Sequence, residues 1–249
     1  MSISLNYWDG RGLMEPARLM LALSDKKPGI DFKDGRYSTD PTLPSHVEAY
    51  PLIARELHHN LGRMPLLKIG YDSVGQSVAI NYYLASELGF LGKTPLETAH
   101  VLEFQEHLKE MKGAYNQICP YGQEPSQEQL DLWFNGGAED QSPEPADMKT
   151  RNSRMMRWWC GRLEYIVGKQ FVIGDSITLA DVLLYCTFID YLKEDEAEGV
   201  AAYRRYPFGS KARTDMILRE FPKLANICNN IASNEKVKSW LAIRGNQKF

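Results

Sequence analysis

The hydrophobic pattern changes character once along the chain, at Gly89–Pro95, and that change limits the folds open to it. Before it, the residues read as mixed α/β. Ser2–Trp8 alternates and ends at Asp9-Gly10, as a strand running into a turn does. Glu15–Ser24 has helical composition, with Pro16 in the first turn, where the missing N–H is harmless. Asp31–Tyr37 reads as a second strand. Ser38–Gly62 holds Pro41, Pro44 and Pro51 and reads as irregular, with a short helix at Ile53–Asn60. Met64–Ile69 and Asp72–Val74 bracket Gly70 as a hairpin, and Ser77–Leu88 reads as a helix that Ser77 can cap. The order is β-α-β-(α)-β-β-α. Beyond Pro95, strand signals nearly vanish. Leu96–Gln117, Asn152–Val167, Leu179–Lys193, Phe221–Ser233 and Val237–Arg244 all read as helices. Asn135–Thr150 and Glu194–Ser210, rich in charge, glycine and proline, read as surface loops.

Composition removes several classes of function. With 29 Lys+Arg against 32 Asp+Glu the net charge is −3, so there is no basic excess to grip a phosphate backbone, and no nucleic-acid partner is expected. The longest apolar runs, such as Leu19–Leu23 and Val182–Cys186, fall far short of the ~18–20 residues that span a bilayer, so no membrane partner is expected. Asp9, Arg11 and Glu15 interrupt the stretch where a signal peptide needs an unbroken apolar run. The expected compartment is cytoplasmic. The 4 cysteines, Cys119, Cys160, Cys186 and Cys228, form no C-x-x-C, and His58-His59 is adjacent rather than at helical ligand spacing. No metal site is expected, and the cysteines read as small buried hydrophobes. No G-x-G-x-x-G, P-loop or G-x-S-x-G occurs.

One local signal is sharp. In Ile177-Thr178-Leu179-Ala180-Asp181-Val182, Thr178 and Asp181 have the spacing of a capping box, and Ile177 and Val182 that of a hydrophobic staple. This reads as structural chemistry, so Asp181 is not counted among catalytic carboxylates.

Three motifs, in order and on the expected elements, resemble the cytosolic glutathione S-transferases, and best the Tyr-type, sigma/alpha-like members. The first is Leu5-Asn6-Tyr7-Trp8-Asp9-Gly10-Arg11-Gly12-Leu13-Met14-Glu15-Pro16-Ala17-Arg18, similar to that family's first strand, catalytic-tyrosine turn and first helix. The second is Gly62-Arg63-Met64-Pro65-Leu66-Leu67 followed by Gln76-Ser77, similar to its cis-proline loop and glutathione clamp. The third is the capping box, followed later by Phe221-Pro222-Lys223-Leu224. The resemblance implies a glutathione S-transferase-like fold: a thioredoxin-like α/β glutathione-binding domain over 1–89 and an all-α domain over 96–249 that contributes the electrophile pocket. It implies conjugation of the glutathione thiolate to small hydrophobic electrophiles, a detoxification chemistry, by a homodimer that uses glutathione as co-substrate and no metal.

The residues fit that chemistry. A cysteine thiol has a pKa near 8.5, so a thiol-transferring enzyme must stabilise the thiolate. A hydrogen bond to a charged acceptor contributes about 1.5–3 kcal/mol, roughly one to two pKa units. Tyr7, at the end of the first strand, is the expected donor. A cis Met64-Pro65 bond would turn the Met64 backbone outward to pair with a peptide ligand, and Gln76 and Ser77 at a helix start suit a carboxylate. The resemblance adds Trp8, Arg11, Tyr50 and Arg63 as glutathione contacts and Glu110, or Glu106 beside it, as a carboxylate reaching the partner subunit's site. It places the electrophile pocket near Met111, Tyr115 and Ile118, residues that also read as a core stripe. Members of the family often carry an arginine where this chain has Leu13, and their second-helix Trp and Lys have no clean match here, Tyr50 and Arg55 being the nearest candidates. Two alternatives follow: a glutathione-dependent isomerase of the prostaglandin D synthase type, and a non-catalytic relative of the kind that serves as lens or interaction protein. With no cysteine at the start of the first helix, no disulfide-reductase activity is expected.

Overall fold

The computed structural model describes residues 2–40, 42, 43, 48, 50–136, 154–190 and 206–244. Most of both expected loops lies outside the described residues, as do the first two residues of the helix expected at 152 and the last three of the one expected to end at 193. The chain divides into two compact units, Met1–Phe90 with Glu235–Phe249, and Leu91–Asn234.

The first unit carries a four-stranded mixed sheet. Its strands are β1 (Ile3–Trp8), β2 (Lys33–Tyr37), β3 (Leu66–Ile69) and β4 (Asp72–Gly75), in the order β2-β1-β3-β4. β1 runs parallel to β2 and antiparallel to β3, with Tyr7 opposite Arg36. Leu5, Leu66 and Leu67 have no exposed surface. The buried Asn6 ties the strands together: its Nδ2 donates to the Leu66 carbonyl at 3.2 Å, and the Tyr37 hydroxyl donates to its Oδ1 at 3.0 Å. Three helices complete the unit's main frame: α1 (Glu15–Leu23), α3 (Ser77–Leu88) and the chain's last helix, α10 (Glu235–Arg244). α1 packs against both others, so nearly all its residues are buried, the charged Glu15 and Arg18 among them. Each of those charges is paired. The Glu15 carboxylate accepts from Trp240 Nε1 at 2.8 Å and Arg244 Nη1 at 2.7 Å, and Arg18 Nε donates to Asp34 at 3.1 Å. The last helix of the expected 96–249 domain thus groups with the first unit, through bonds between residues more than 200 positions apart.

Two local expectations need correction. The short helix expected at 53–60 is instead α2 (Tyr50–Ala54) followed by a single 3₁₀ turn, Leu57–Asn60. Tyr50, Ile53 and Leu57 turn onto the Tyr37–Leu66 core, and Pro51 falls in the first turn of α2, where its missing N–H costs nothing. Ser77 is not the cap of α3. It is the first helical residue, and the cap position falls on Gln76, whose side chain makes no capping bond.

The second unit is helical among the described residues: α4 (Pro95–Ile118), α5 (Gln127–Asn135), α6 (Met156–Ile166), α7 (Leu179–Phe188), α8 (Lys211–Glu220) and α9 (Pro222–Ser233). Val101, Phe104, Leu108 and Met111 of α4 and Leu224, Ile227, Cys228 and Ile231 of α9 recur at helical spacing and face α7. Met111, expected near the electrophile, is fully buried in that core. Tyr115 packs edge-on against Trp133 and Phe208 at 5.4 and 5.3 Å. The sequence reading missed α5 and α8. Each carried a legible start: Ser126 and Gln129 form a capping box, and Ser210 caps α8 by accepting from the Arg213 amide.

Candidate functional site

The expected site residues on the first unit gather around the sheet end of β1 and the loop before β3. Tyr7 is 7 % exposed. Its ring is pressed against the turn after β1: a Cβ at Gly12, where φ is +39°, would lie 2.9 Å from the Tyr7 hydroxyl and 3.0 Å from its ring edge. Any side chain at Gly12 would therefore displace the tyrosine. Arg18 fixes the same turn from below, donating through Nη1 to the Gly10 carbonyl at 2.6 Å. The Arg11 carbonyl receives the Met14 and Glu15 amides, and the Arg11 side chain is buried. Leu13, where relatives often carry an arginine, is 54 % exposed.

Trp8, Tyr50 and Met64 come together as partly buried neighbours on the Tyr37, Ile53, Leu57 and Leu66 cluster. Trp8 stacks on Tyr50 with ring centroids 5.3 Å apart, and Tyr37 meets Tyr50 edge-on at 6.3 Å. Burial, with Glu56 adding to it, raises the Tyr37 pKa, so its hydroxyl stays a proton donor to Asn6. The Met64–Pro65 peptide bond is cis. The β1–β3 ladder ends at Leu66, one residue beyond Pro65, and Arg63 is exposed.

Gln76 sits between β4 and α3 at φ 65°, ψ 126°, a backbone conformation that costs a non-glycine residue about 1–3 kcal/mol. The turn places Gln76 and Ser77 at the start of a 12-residue helix, whose first amides have no carbonyl of the same helix behind them. An anion is favoured there by those amides and by the helix dipole. The residue that ties this corner to the Met64–Pro65 loop is Asn60, which the sequence reading left as the end of a short helix. Asn60 donates to the Arg63 and Pro65 carbonyls, each at 2.9 Å, and accepts from Gln76 Nε2 at 3.1 Å.

Glu110 lies on the other unit. It is exposed on α4 and lines a cavity of about 310 Å³ with His107, Arg154, Trp158 and Arg162. Glu106, the neighbouring carboxylate, pairs with Lys109 at 2.9 Å. Among the described residues no group of three or more His, Cys, Asp or Glu could hold a metal ion, and no helix is long and apolar enough to cross a membrane.

All 4 cysteines are free thiols. Burial raises the pKa of Cys160 and Cys228 far above the ordinary thiol range, and that of Cys119 less. Iodoacetamide at neutral pH should therefore label the folded protein only at the half-buried Cys186, read by peptide mass spectrometry. Fast labelling of Cys160 or Cys228, or a mixed disulfide of either with glutathione, would contradict the burial argument.

Sheet, cis-proline loop and helical unit together define the glutathione S-transferase fold. Residues 132–244 match the family model of the glutathione S-transferase C-terminal domain. S-crystallin 4 of Enteroctopus dofleini is 23% identical over 260 residues, covering 100% of this chain and 99% of its own. A probable glutathione S-transferase 7 of Caenorhabditis elegans is 25% identical over 240 residues, covering 96% of this chain and 95% of its own. Among solved structures, the glutathione S-transferase from Ascaris lumbricoides superposes with a TM-score of 0.66 at 20% identity, covering 100% of both chains. The family model over the helical part of the chain and the relatives over its whole length make the chain similar to the cytosolic glutathione S-transferases, with the S-crystallin matches on the sigma-like side, and the solved structures share its fold.

Proposed function

We propose that the protein is a glutathione transferase in which Tyr7 donates a hydrogen bond to the glutathione thiolate, which then attacks a small hydrophobic electrophile. The observation that carries this reading is the junction of two ligand-ready backbones in one unit. The Met64–Pro65 loop and the Gln76-Ser77 helix start are joined through Asn60, beside the Trp8–Tyr50 stack. In this reading the Met64 backbone pairs with the cysteinyl unit. The γ-glutamyl carboxylate rests on the first amides of α3 with Gln76 and Ser77, and Arg63 reaches the glycine carboxylate. Trp8, Arg11 and Tyr50 shape the floor of the site, and Glu110 serves the partner subunit. With the reading go a homodimer, a cytoplasmic setting and detoxification of the electrophile.

The test begins with binding. Immobilised glutathione should retain the wild-type protein, and free glutathione should elute it. Gln76→Ala should weaken the affinity by about tenfold or more, since a charge-assisted hydrogen bond contributes about 1.5–3 kcal/mol. Retention unchanged in Gln76→Ala removes the clamp from the model. A panel of aryl halides, enals, hydroperoxides and endoperoxides, with glutathione consumption followed, then separates transferase from isomerase, because an isomerase turns over without consuming glutathione.

A second reading, a structural protein that keeps the fold without turnover, is favoured by the S-crystallin matches and by the exposed Leu13 in place of an arginine. Binding of glutathione without turnover of any member of the panel would select it.

A further inference from the structure

Asn60 is 4 % exposed; its backbone carbonyl accepts from the Arg63 amide at 3.1 Å, and its side chain makes three further hydrogen bonds. Nδ2 donates to two main-chain carbonyls, those of Arg63 and Pro65, at 2.9 Å each. A carbonyl oxygen can only accept, so that end of the carboxamide must be the NH₂ group. The other end, Oδ1, is then an acceptor, and it faces the Gln76 carboxamide at 3.1 Å. Gln76 must present its own NH₂ there. The orientation of one amide thus dictates the other, and the direction of both is set by the fixed carbonyls on either side of Met64.

The Asn60 side chain has no room to turn. A Cβ at Gly75, across on β4, would lie 2.5 Å from the Asn60 Cβ and Oδ1. Gly75 is not among the residues at positive φ, so glycine is required there for space and not for its backbone freedom. A strand position has been left bare to admit this one side chain.

We propose that Asn60 is a positioning residue for ligand recognition: it locks the Gln76 carboxamide with its nitrogen inward, leaving Oε1 to accept a hydrogen bond from the ammonium group of a γ-glutamyl ligand. The proposal rests on the glutathione reading above. It explains how one short corner recognises a zwitterion. The first amides of α3 donate to the carboxylate, and a glutamine held in one orientation accepts from the ammonium beside it. A glutamine free to flip would meet the ammonium with its NH₂ half of the time, donor against donor.

Calorimetric titration with glutathione and with deaminated glutathione, in which hydrogen replaces the γ-glutamyl ammonium, tests this. The wild type should prefer glutathione by about tenfold, the loss expected for one charge-assisted hydrogen bond. Asn60→Leu, close in size and unable to hydrogen-bond, should weaken glutathione binding by about that factor and leave the deaminated ligand nearly unaffected, so that the preference falls to about twofold or less. In a Gln76→Ala background the Asn60→Leu change should add less than about twofold, because its effect passes through Gln76. Equal weakening of both ligands by Asn60→Leu would mean that Asn60 only supports the loop, and would overturn the proposal. So would unchanged glutathione affinity in Asn60→Leu while Gln76→Ala weakens it. No binding of glutathione to the wild type would instead sink the glutathione reading, and the proposal with it. If circular dichroism shows that Asn60→Leu does not fold, Gly75→Ala displaces the same side chain from its β4 side, and the same loss of preference is expected of it. A folded Gly75→Ala with the full wild-type preference would overturn the proposal.

Discussion

Replacing Tyr7 by phenylalanine should raise the pKa of bound glutathione by about one to two units, the equivalent of a hydrogen bond of about 1.5–3 kcal/mol to the thiolate. The conjugation rate at neutral pH should fall roughly ten- to a hundredfold and recover in part as the pH rises, because hydroxide then supplies the thiolate that the tyrosine no longer stabilises. The sign follows from the charge. The donor favours the ionised thiol, so its loss moves the rate profile to higher pH. The substitution isolates the hydroxyl, since the ring that packs against Gly12 remains and Gly12 has no side chain to refill the gap. Glutathione affinity should change little, its carboxylates and backbone being held at Gln76, Ser77 and Met64 in the proposed site. Leu13 sharpens the forecast: with no arginine at that position, fewer donors remain to mask the loss. The measurement is the pH–rate profile for one aryl halide, wild type against Tyr7→Phe, with binding followed separately. Superimposed profiles would make Tyr7 a packing residue and turn attention to Arg11. Loss of binding together with activity would mean that the ring positions the ligand.

Removing the carboxylate of Asp181 should be strongly destabilising. Asp181 has no exposed surface, and its two oxygens accept from the Val172 amide at 2.8 Å, the Thr178 amide at 2.8 Å and the Thr178 hydroxyl at 2.6 Å. Burial pushes its pKa up while these donors pull it down, a balance that marks an acid fully engaged by its own fold. Asp181→Ala leaves two buried backbone donors without partners. At about 1–3 kcal/mol for each orphaned donor, roughly 3–5 kcal/mol should be lost. For a chain of this size that is a fall in unfolding midpoint of roughly 6–20 °C, read by far-UV circular dichroism. Asp181→Asn, which keeps one acceptor oxygen, should lose less. The folded fraction of either variant should bind glutathione as the wild type does, because Asp181 serves the helical unit and the proposed glutathione site lies in the other. A midpoint within about 2 °C of wild type in Asp181→Ala would show that water or a neighbouring group replaces the carboxylate.

Much of this protein is written in short-range signals. Thr178, Asp181 and the staple around them form a cap whose partners lie within a few residues of one another, so spacing alone identified it. The Ser77–Leu88 helix and the strand pairing around Gly70 were legible for the same reason, since period and turn chemistry are local properties. Met64-Pro65 and Gln76-Ser77 could be located because each is a contiguous motif on its own element. The missed helices, α5 and α8, also had local starts at Ser126 and Ser210, overlooked beside proline-rich and charged neighbours.

What the sequence could not carry depends on residues distant along the chain meeting in space. The start of α2 at Tyr50 was decided by the aromatic contact with Trp8 and by burial against Tyr37 and Leu66, which propensity around Pro51 does not register. The grouping of the last helix with the first unit required a buried carboxylate at Glu15 to find Trp240 and Arg244, more than 200 residues away. Gln76 as cap in place of Ser77 followed from a backbone turned to φ 65°, a conformation no side-chain preference announces. Asn60 is the plainest case. From sequence it is a polar residue at the end of a turn. Folding of β3, β4 and the Met64–Pro65 loop around it encloses it with two carbonyls on one side and Gln76 on the other. Its role exists only there, because a hydrogen-bond direction is set by which acceptors the tertiary structure brings within 3 Å, and composition and spacing hold no record of that.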